Sequence, residues 1–469
     1  MQGVVDGTIP GPATSGRKEA GMSASIDTDS PASPGQAMAV PQRSPLYLAW
    51  LLLLMLATYT LNFADRQILV ILIEPIKKEF GVSDAMMGAL TGLAFTLLYV
   101  GLSIPAARLA DQWSRVNVLC LSAAAWSAFT ALSGFAAQFW HLAVARVGVG
   151  IGEAGGLPPT QSILSAYFPV QWRATALSIL GAGGNLGSFV GLYGGALVNE
   201  SHGWRMAFIA LGIPGIILAV LIWLTVPEPP RAKIPPQQAS IWQVIGLCLQ
   251  SRSITLASFG CGIGTIAAYG LLTWLPSFFI RVHGVAPVTA SLLMGVGGSV
   301  GGILGGVVGG RLVDRLAQKS PALQLSIPAL GFALCFPVQL GMLLWPESHY
   351  FMLGPHHVPL AALLVPVNTF FFSFWLGPTY AMAQSLVPES MRSQATAFVL
   401  LIYILLGQGL GPFLTGVLSD LFHASANVQS LRYALLTVLP TSLVAAGLYY
   451  LASRRYPAER AARAALAGG

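Results

Sequence analysis

Apolar runs of about 20 residues recur from Leu46 to Leu451, separated by short polar breaks. A helix of that length crosses a hydrocarbon core roughly 30 Å thick, and in lipid only helices and closed barrels satisfy every backbone hydrogen bond. The recurrence predicts a polytopic all-α membrane protein. Charge agrees, since only 9% of the 469 residues are charged, where soluble domains average about 25%. The 52 Gly and 31 Pro lie mostly inside the apolar runs, where close helix packing and helix breaks tolerate them. Hydropathy places twelve spans, at 46–76, 84–110, 116–137, 139–166, 173–199, 205–226, 253–281, 287–313, 322–345, 357–387, 392–420 and 432–453. The longest break, 227–252, carries Pro227, Pro229, Pro230, Arg231 and Lys233 and divides six spans from six. The expected organisation starts with a disordered cytoplasmic tail at 1–44, rich in Ser, Pro, Gly and Ala. A six-helix bundle at 45–226, a cytoplasmic linker at 227–252, a second six-helix bundle at 253–453 and a cytoplasmic tail at 454–469 follow.

The basic residues set the orientation. With both termini inside, 17 of the 24 Lys and Arg fall on the cytoplasmic side. Lys77, Lys78, Arg205, Arg281 and Arg432 fall outside, and Arg66 and Arg146 lie within spans. That asymmetry is the positive-inside pattern. The net charge of +7 is scattered at segment ends with no basic face and no interleaved aromatics, which excludes nucleic acid as a partner. The four cysteines have no metal-ligand spacing, so no metal, other cofactor or disulfide framework is expected. Gly297-Gly298-Ser299-Val300-Gly301 matches a nucleophile pattern. The seven histidines cluster near span ends, however, and leave no Ser–His pair in mid-membrane. The chain is therefore not read as an enzyme. Gly297, Gly301, Gly305 and Gly309 instead form a ridge for close helix contact, as do Gly187, Gly191 and Gly195.

Asp65, Arg66, Arg146 and Glu153 lie inside apolar segments. On the insertion scale an Asp or Arg at a helix centre costs about 2.5–3.5 kcal/mol, so such groups face inward and pair. Arg146 and Glu153 are two turns apart, about 10 Å along one helix, with Gly150 between them to admit a neighbouring helix. Burial favours a protonated carboxyl and a close guanidinium favours the ionised one. Helix movement that changes the Arg distance then loads or releases a proton. Asp65 and Glu153 are the expected protonation sites, with Arg66 and Arg146 as tuning partners. The alternative is a set of permanent salt bridges holding the first and fourth spans together.

Landmarks repeat along the chain. Arg108-Leu109-Ala110-Asp111 follows the second span and Arg311-Leu312-Val313-Asp314 the eighth. Arg173-Ala174-Thr175-Ala176 enters the fifth, and Arg392 with Ala395-Thr396-Ala397 the eleventh. Such a parallel repeat places a substrate site between the halves, near the midplane.

These landmarks resemble the major facilitator superfamily from about residue 46 onward. Arg108–Arg115 and Arg311–Lys319 are similar to its loops after the second and eighth spans. Gly203-Trp204-Arg205-Met206-Ala207-Phe208 is similar to the entry to its sixth. Within it, Asn62-Phe63-Ala64-Asp65-Arg66 and Arg146 with Gly150-Ile151-Gly152-Glu153-Ala154 resemble the spinster group, as a bacterial-type member. The resemblance implies two six-helix bundles related by a pseudo-two-fold axis, working by alternating access. It also implies a cytoplasmic gate built from Arg108, Asp111, Arg115, Arg311, Asp314 and Arg315. The alternative for those residues is ordinary capping and topology. For spinsters the substrates implied are sphingolipids and lysophospholipids, with proton coupling proposed.

The C-terminal half carries no mid-span charge. Tyr269, Asn368 and Thr369 are expected to bind substrate there, facing Arg66 and Glu153. No ring of charge or carbonyl filter marks a channel. The expectation is a monomeric secondary transporter of the plasma (bacterial inner) membrane. Its partners are membrane lipids, protons and an amphipathic or small-molecule substrate. The alternative is a proton-linked carrier of small organic acids or drugs.

Overall fold

Ser44 starts the first span. Its hydroxyl accepts from the Tyr47 N–H at 3.3 Å, and Pro45 takes the first turn, where its missing N–H does no harm. The structure, a computed structural model, describes residues 44–229, 241–354 and 356–468, with the side chain of Asp111 outside what is described. The tail expected at 1–44 therefore lies outside the described residues except for Ser44.

Among the described residues nine helical stretches are long and apolar enough to cross a membrane. Two are too long for one crossing. Gln171–Thr225 has 55 residues and Glu389–Ala465 has 77, roughly 80 and 115 Å at 1.5 Å per residue. Gly203 (φ 81°, ψ 164°) breaks the first and Asn427 (φ 43°) the second. A further crossing is divided by a turn at 154–156 into Phe139–Glu153 and Leu157–Tyr167, each too short alone. The result is twelve crossings: Pro45–Ile71, Asp84–Ala110, Arg115–Ser133, the divided fourth, 170–202, 204–225, Arg252–His283, Pro287–Ala317, Leu323–Leu344, Leu360–Ser385, 392–426 and 430–465.

The two halves repeat one packing scheme. The first span packs on the fifth as the seventh packs on the eleventh. The second meets the fourth as the eighth meets the tenth, and the third meets the sixth as the ninth meets the twelfth. Both glycine ridges serve this scheme. Gly187 and Gly191 lie against the first-span backbone at Thr60 and Ala64, and Gly301 and Gly305 against the tenth-span backbone at Pro366 and Phe370.

Several boundaries differ from the expected ones. The first helix stops at Ile71 and a separate helix, Ile73–Phe80, follows. Part of the linker is the helix Ile241–Gln250. The tenth crossing starts at Leu360, because 357–359 belong to a hairpin in which β1 (Tyr350–Leu353) pairs antiparallel with β2 (His356–Pro359). Pro359 disfavours helix in the residue before it. At the C-terminus the helix Thr441–Gly468 runs on through the expected tail, where Ala458, Ala461, Ala462, Ala464 and Ala465 are strong helix formers.

Candidate functional site

The four charges predicted to matter come together between the first and fourth spans. Their pairing crosses between helices. Arg66 Nε and Nη2 each lie 2.7 Å from Glu153 Oε2. Arg146 Nη1 donates to Asp65 Oδ1 at 3.2 Å and Nη2 to the Asp65 carbonyl at 3.1 Å. Neighbours on a helix point about 100° apart, so Asp65 and Arg66 face different partners. Gly150 makes room for Phe95 of the second span, and Phe95 in turn lies over Arg66.

The two pairs have unlike surroundings. Asp65 and Arg146 are 1% and 3% exposed. The Thr130 hydroxyl sits 2.6 Å from Asp65 Oδ1 and 2.8 Å from the Trp126 carbonyl, its proton available to either. Oδ2 is 3.2 Å from Arg146 Nη1 but has no aligned hydrogen bond. Arg66, in contrast, keeps 18% of its side chain exposed. Its guanidinium carbon lies 4.7, 4.9 and 5.4 Å from the ring centres of Phe95, Tyr99 and Phe63. Glu153 is buried, and Oε1 has no hydrogen-bond partner among the described residues. Glu153 also ends its helix, and a helix C-terminus is a poor place for an anion. Its ionised form leans on Arg66.

Arg66 and Glu153 line a cavity of about 370 Å³ between the halves, within the range of small-molecule sites. The first half contributes Tyr59, Asn62 and Phe63, and the second Tyr269, Asn368, Thr369, Tyr403 and Gln408. The three second-half residues expected in the site are thus all on its wall. Tyr269 stacks on Tyr403 at 6.5 Å. Thr369 donates its hydroxyl proton within its own helix, to the Val365 or Pro366 carbonyl. Asn368 Oδ1, like Glu153 Oε1, has no partner among the described residues. Arg146 is also on the wall, and Asp65 is not.

Among the described side chains the expected gate residues are not joined to one another. Arg108, Arg311, Asp314 and Arg315 are exposed, and none of them forms an ion pair with another described side chain. At Arg115 the backbone is engaged instead. Glu228 accepts from the N–H groups of Arg115 and Val116 at 3.0 Å and from the Ser114 hydroxyl at 2.7 Å, capping the third span.

Among the described residues the ion pairs that bridge the halves lie at the opposite rim, and the sequence reading missed them. Arg281, ending the seventh span, donates to Asp84 Oδ2 and Oδ1 at 2.7 and 2.8 Å and to Glu74 at 2.9 Å. Lys77 adds a contact to Asp84 at 2.5 Å, and Ser419 donates to Asp84 at 2.7 Å. Asp420 accepts from the Asp84 and Ala85 N–H groups at 3.0 and 2.8 Å, capping the start of the second span. Below this rim Gly88 meets Pro412 and Gly92 meets Gly409. Toward the other rim, Gly181 in the fifth span and Gly306 and Gly310 in the eighth have open space beside them.

Comparison with known proteins gives a consistent set of likenesses. The profile described as "Major Facilitator Superfamily" matches residues 55–404. An "MFS-type efflux pump" of Mycolicibacterium smegmatis is 32% identical over 401 residues, 85% of this chain and 90% of that one. Human "Protein spinster homolog 1" is 26% identical over 399 residues, 81% of this chain and 74% of that one. A crystal structure titled as a bacterial homologue of the human lysosomal transporter Spinster, inward-facing and unoccupied, superposes with a TM-score of 0.78 at 27% identity. It covers 89% of this chain and 99% of that one.

Proposed function

The chain belongs to the major facilitator superfamily and is an integral-membrane transporter rather than an enzyme, and on that premise we propose a proton-coupled secondary transporter of amphipathic, lipid-like molecules. The substrates are of the sphingolipid or lysophospholipid type, and transport proceeds by alternating access. The observation that carries this reading is the Arg66–Glu153 pair on the cavity wall, with Glu153 Oε1 unpartnered among the described residues. With both termini inside, the open side of the cavity faces the cytoplasm and Arg281 lies at the sealed outer rim. Arg108, Asp111, Arg115, Arg311, Asp314 and Arg315 then form their latch in the opposite state.

The chemistry follows from the pair. Arg66 holds Glu153 with donors on one side only, and a guanidinium has five. An anionic headgroup in the cavity competes with Glu153 for Arg66. Once Arg66 is drawn away, Glu153 is a buried anion without a counter-charge, and it takes up a proton. Anion and proton therefore bind cooperatively, and linkage makes the effect reciprocal. The apolar part of the substrate rests on Phe63, Tyr59, Tyr269 and Tyr403. A relative named "Sphingosine-1-phosphate transporter SPNS2", from Xenopus tropicalis and 26% identical over 419 residues, supports this substrate class. The relative named an efflux pump favours a second reading, a drug or small organic acid carrier on the same pair. A cationic drug engages Glu153 in place of Arg66 and displaces the proton, which gives exchange rather than co-transport.

Proteoliposomes with an imposed pH gradient test both. Wild-type protein should move a lysophospholipid or sphingoid phosphate with a rate set by the gradient. Glu153→Gln should remove that gradient dependence. Arg66→Ala should weaken substrate affinity by about 10- to 150-fold, the worth of a hydrogen bond to a charged group. Unchanged pH dependence in Glu153→Gln would end the coupling proposal, and gradient-driven movement of cationic drugs alone would select the second reading.

A further inference from the structure

The hairpin between the ninth and tenth spans has no role in the site. All four residues of β1 are apolar or aromatic, and all are exposed: Tyr350 50%, Phe351 38%, Met352 57% and Leu353 60%. A two-stranded hairpin is marginal in water, and a contiguous apolar patch facing water marks a binding surface. Among the described residues β1 pairs only with β2, so its far edge presents backbone groups with no strand partner among them.

The placement of the hairpin restricts what can cover that patch. Its base is tied to the tenth span, where the Leu360 N–H donates to the His349 carbonyl at 3.0 Å. The strand end that pairs Leu353 with His356 is tied down as well. His356 Nδ1 is 2.8 Å from the hydroxyl of Thr289, a buried residue in the first turn of the eighth span. The hairpin is thus anchored at the starts of two spans, on the side of the molecule where the seventh span ends at Arg281. Leu344 and Leu363, at the ends of the flanking spans, are exposed as well.

From this geometry we infer that β1 is seated in the headgroup layer of the bilayer, with Tyr350–Leu353 as an interfacial anchor for the second half. The hydrocarbon core is closed to it, because an unpaired strand edge has no partners there. The headgroup layer supplies water and lipid oxygens to that edge and an apolar boundary to the side chains, and it is where aromatic residues collect. Tyr350 and Phe351 fit that layer.

Site-directed spin labels read this directly in the full-length protein in lipid nanodiscs. All four native cysteines are buried, so labels go to introduced ones. Met352→Cys and Leu353→Cys are the probes, Leu330→Cys in the ninth span the lipid reference, and Lys78→Cys the water reference. The expected result is an oxygen-to-nickel-complex accessibility ratio nearer that of Leu330→Cys than that of Lys78→Cys at both probe positions. Ratios like that of Lys78→Cys would place β1 in water and overturn the inference. Labels shielded from both agents would mean a protein covers the strand, a second copy included, and would overturn it equally.

Discussion

Asp65 and Glu153 have the same chemistry and different prospects for gaining a proton. Asp65 is buried off the cavity wall, held by Thr130 and by Arg146, which reaches that wall, while Glu153 lies on the wall beside Arg66. On the proposed reading, the two possibilities the charges allowed, a strut and a switch, fall one to each pair. Asp65→Asn should leave Arg146 as a buried charge with no counter-charge. Removing one partner of such a pair costs about 3–5 kcal/mol, so the melting temperature in detergent should fall clearly. The double variant Asp65→Asn/Arg146→Gln should recover much of it. Glu153→Gln should cost less stability, because Arg66 keeps three aromatic faces and cavity water, and should change the pH dependence of transport instead. Equal destabilisation by both single variants would mean that the two pairs are the same kind of strut. The four charged positions were legible because ionisable groups in apolar runs are costly. Which acid meets which base was not, because that depends on how the first and fourth spans cross. Asn368 and Tyr269 were legible only as polar or aromatic residues in a half without charge.

Among elements, the most consequential feature is local widening of three helices where the halves meet. Wide helical turns occupy 89–93 in the second span, 190–194 in the fifth and 404–410 in the eleventh. Such turns cluster at functional sites because they leave backbone groups less tightly held. Two of them meet face to face, with Gly92 against the backbone of Gly409. A side chain at 92 would run into the Gly409 carbonyl oxygen, so Gly92→Val should prevent close approach while leaving each bundle intact. The expected result is an unchanged far-UV spectrum with wider inter-half distances at the Arg281 rim, measured between spin labels. An unchanged distance would show that the second and eleventh spans slide without needing that contact. The glycine ridges of the fifth and eighth spans were plain in the sequence because their period is that of the helix. The wide turns were not, since Ala89–Leu93 is compositionally ordinary. Nor was the hairpin, whose last three residues, 357–359, hydropathy absorbed into the tenth span.

At the scale of the whole molecule, the contacts across the Arg281 rim form one network in which each half supplies what the other lacks. The first half brings Glu74 and Asp84, and the second brings Arg281, Ser419 and the Asp420 carboxylate that caps the second span. These residues sit at span ends, where charges are usually solvated, so the sequence offered no reason to prefer them over Asp111 or Asp314. A two-state transporter has a gap of a few kcal/mol between its states. Removing a partner from a buried pair costs about 3–5 kcal/mol, and reversing a 99:1 ratio takes about 5.5 kcal/mol. Arg281→Gln therefore acts on the scale of the whole gap. Pulsed spin-label distances across the Arg281 rim should gain a second, longer population in this variant. Arg205→Gln is the control, because Arg205 pairs with Glu79 inside the first half at 2.6 Å. Those two groups are half-exposed, and hydrogen bonds from Arg205 and Trp204 hold the Glu79 carboxyl below its ordinary value. That interaction is present at neutral pH and lost as pH falls through the lowered value. Its loss should leave the inter-half distance alone. A single unshifted distance in Arg281→Gln would mean that apolar contact between the second and eleventh spans closes this rim unaided, with the ions as bystanders.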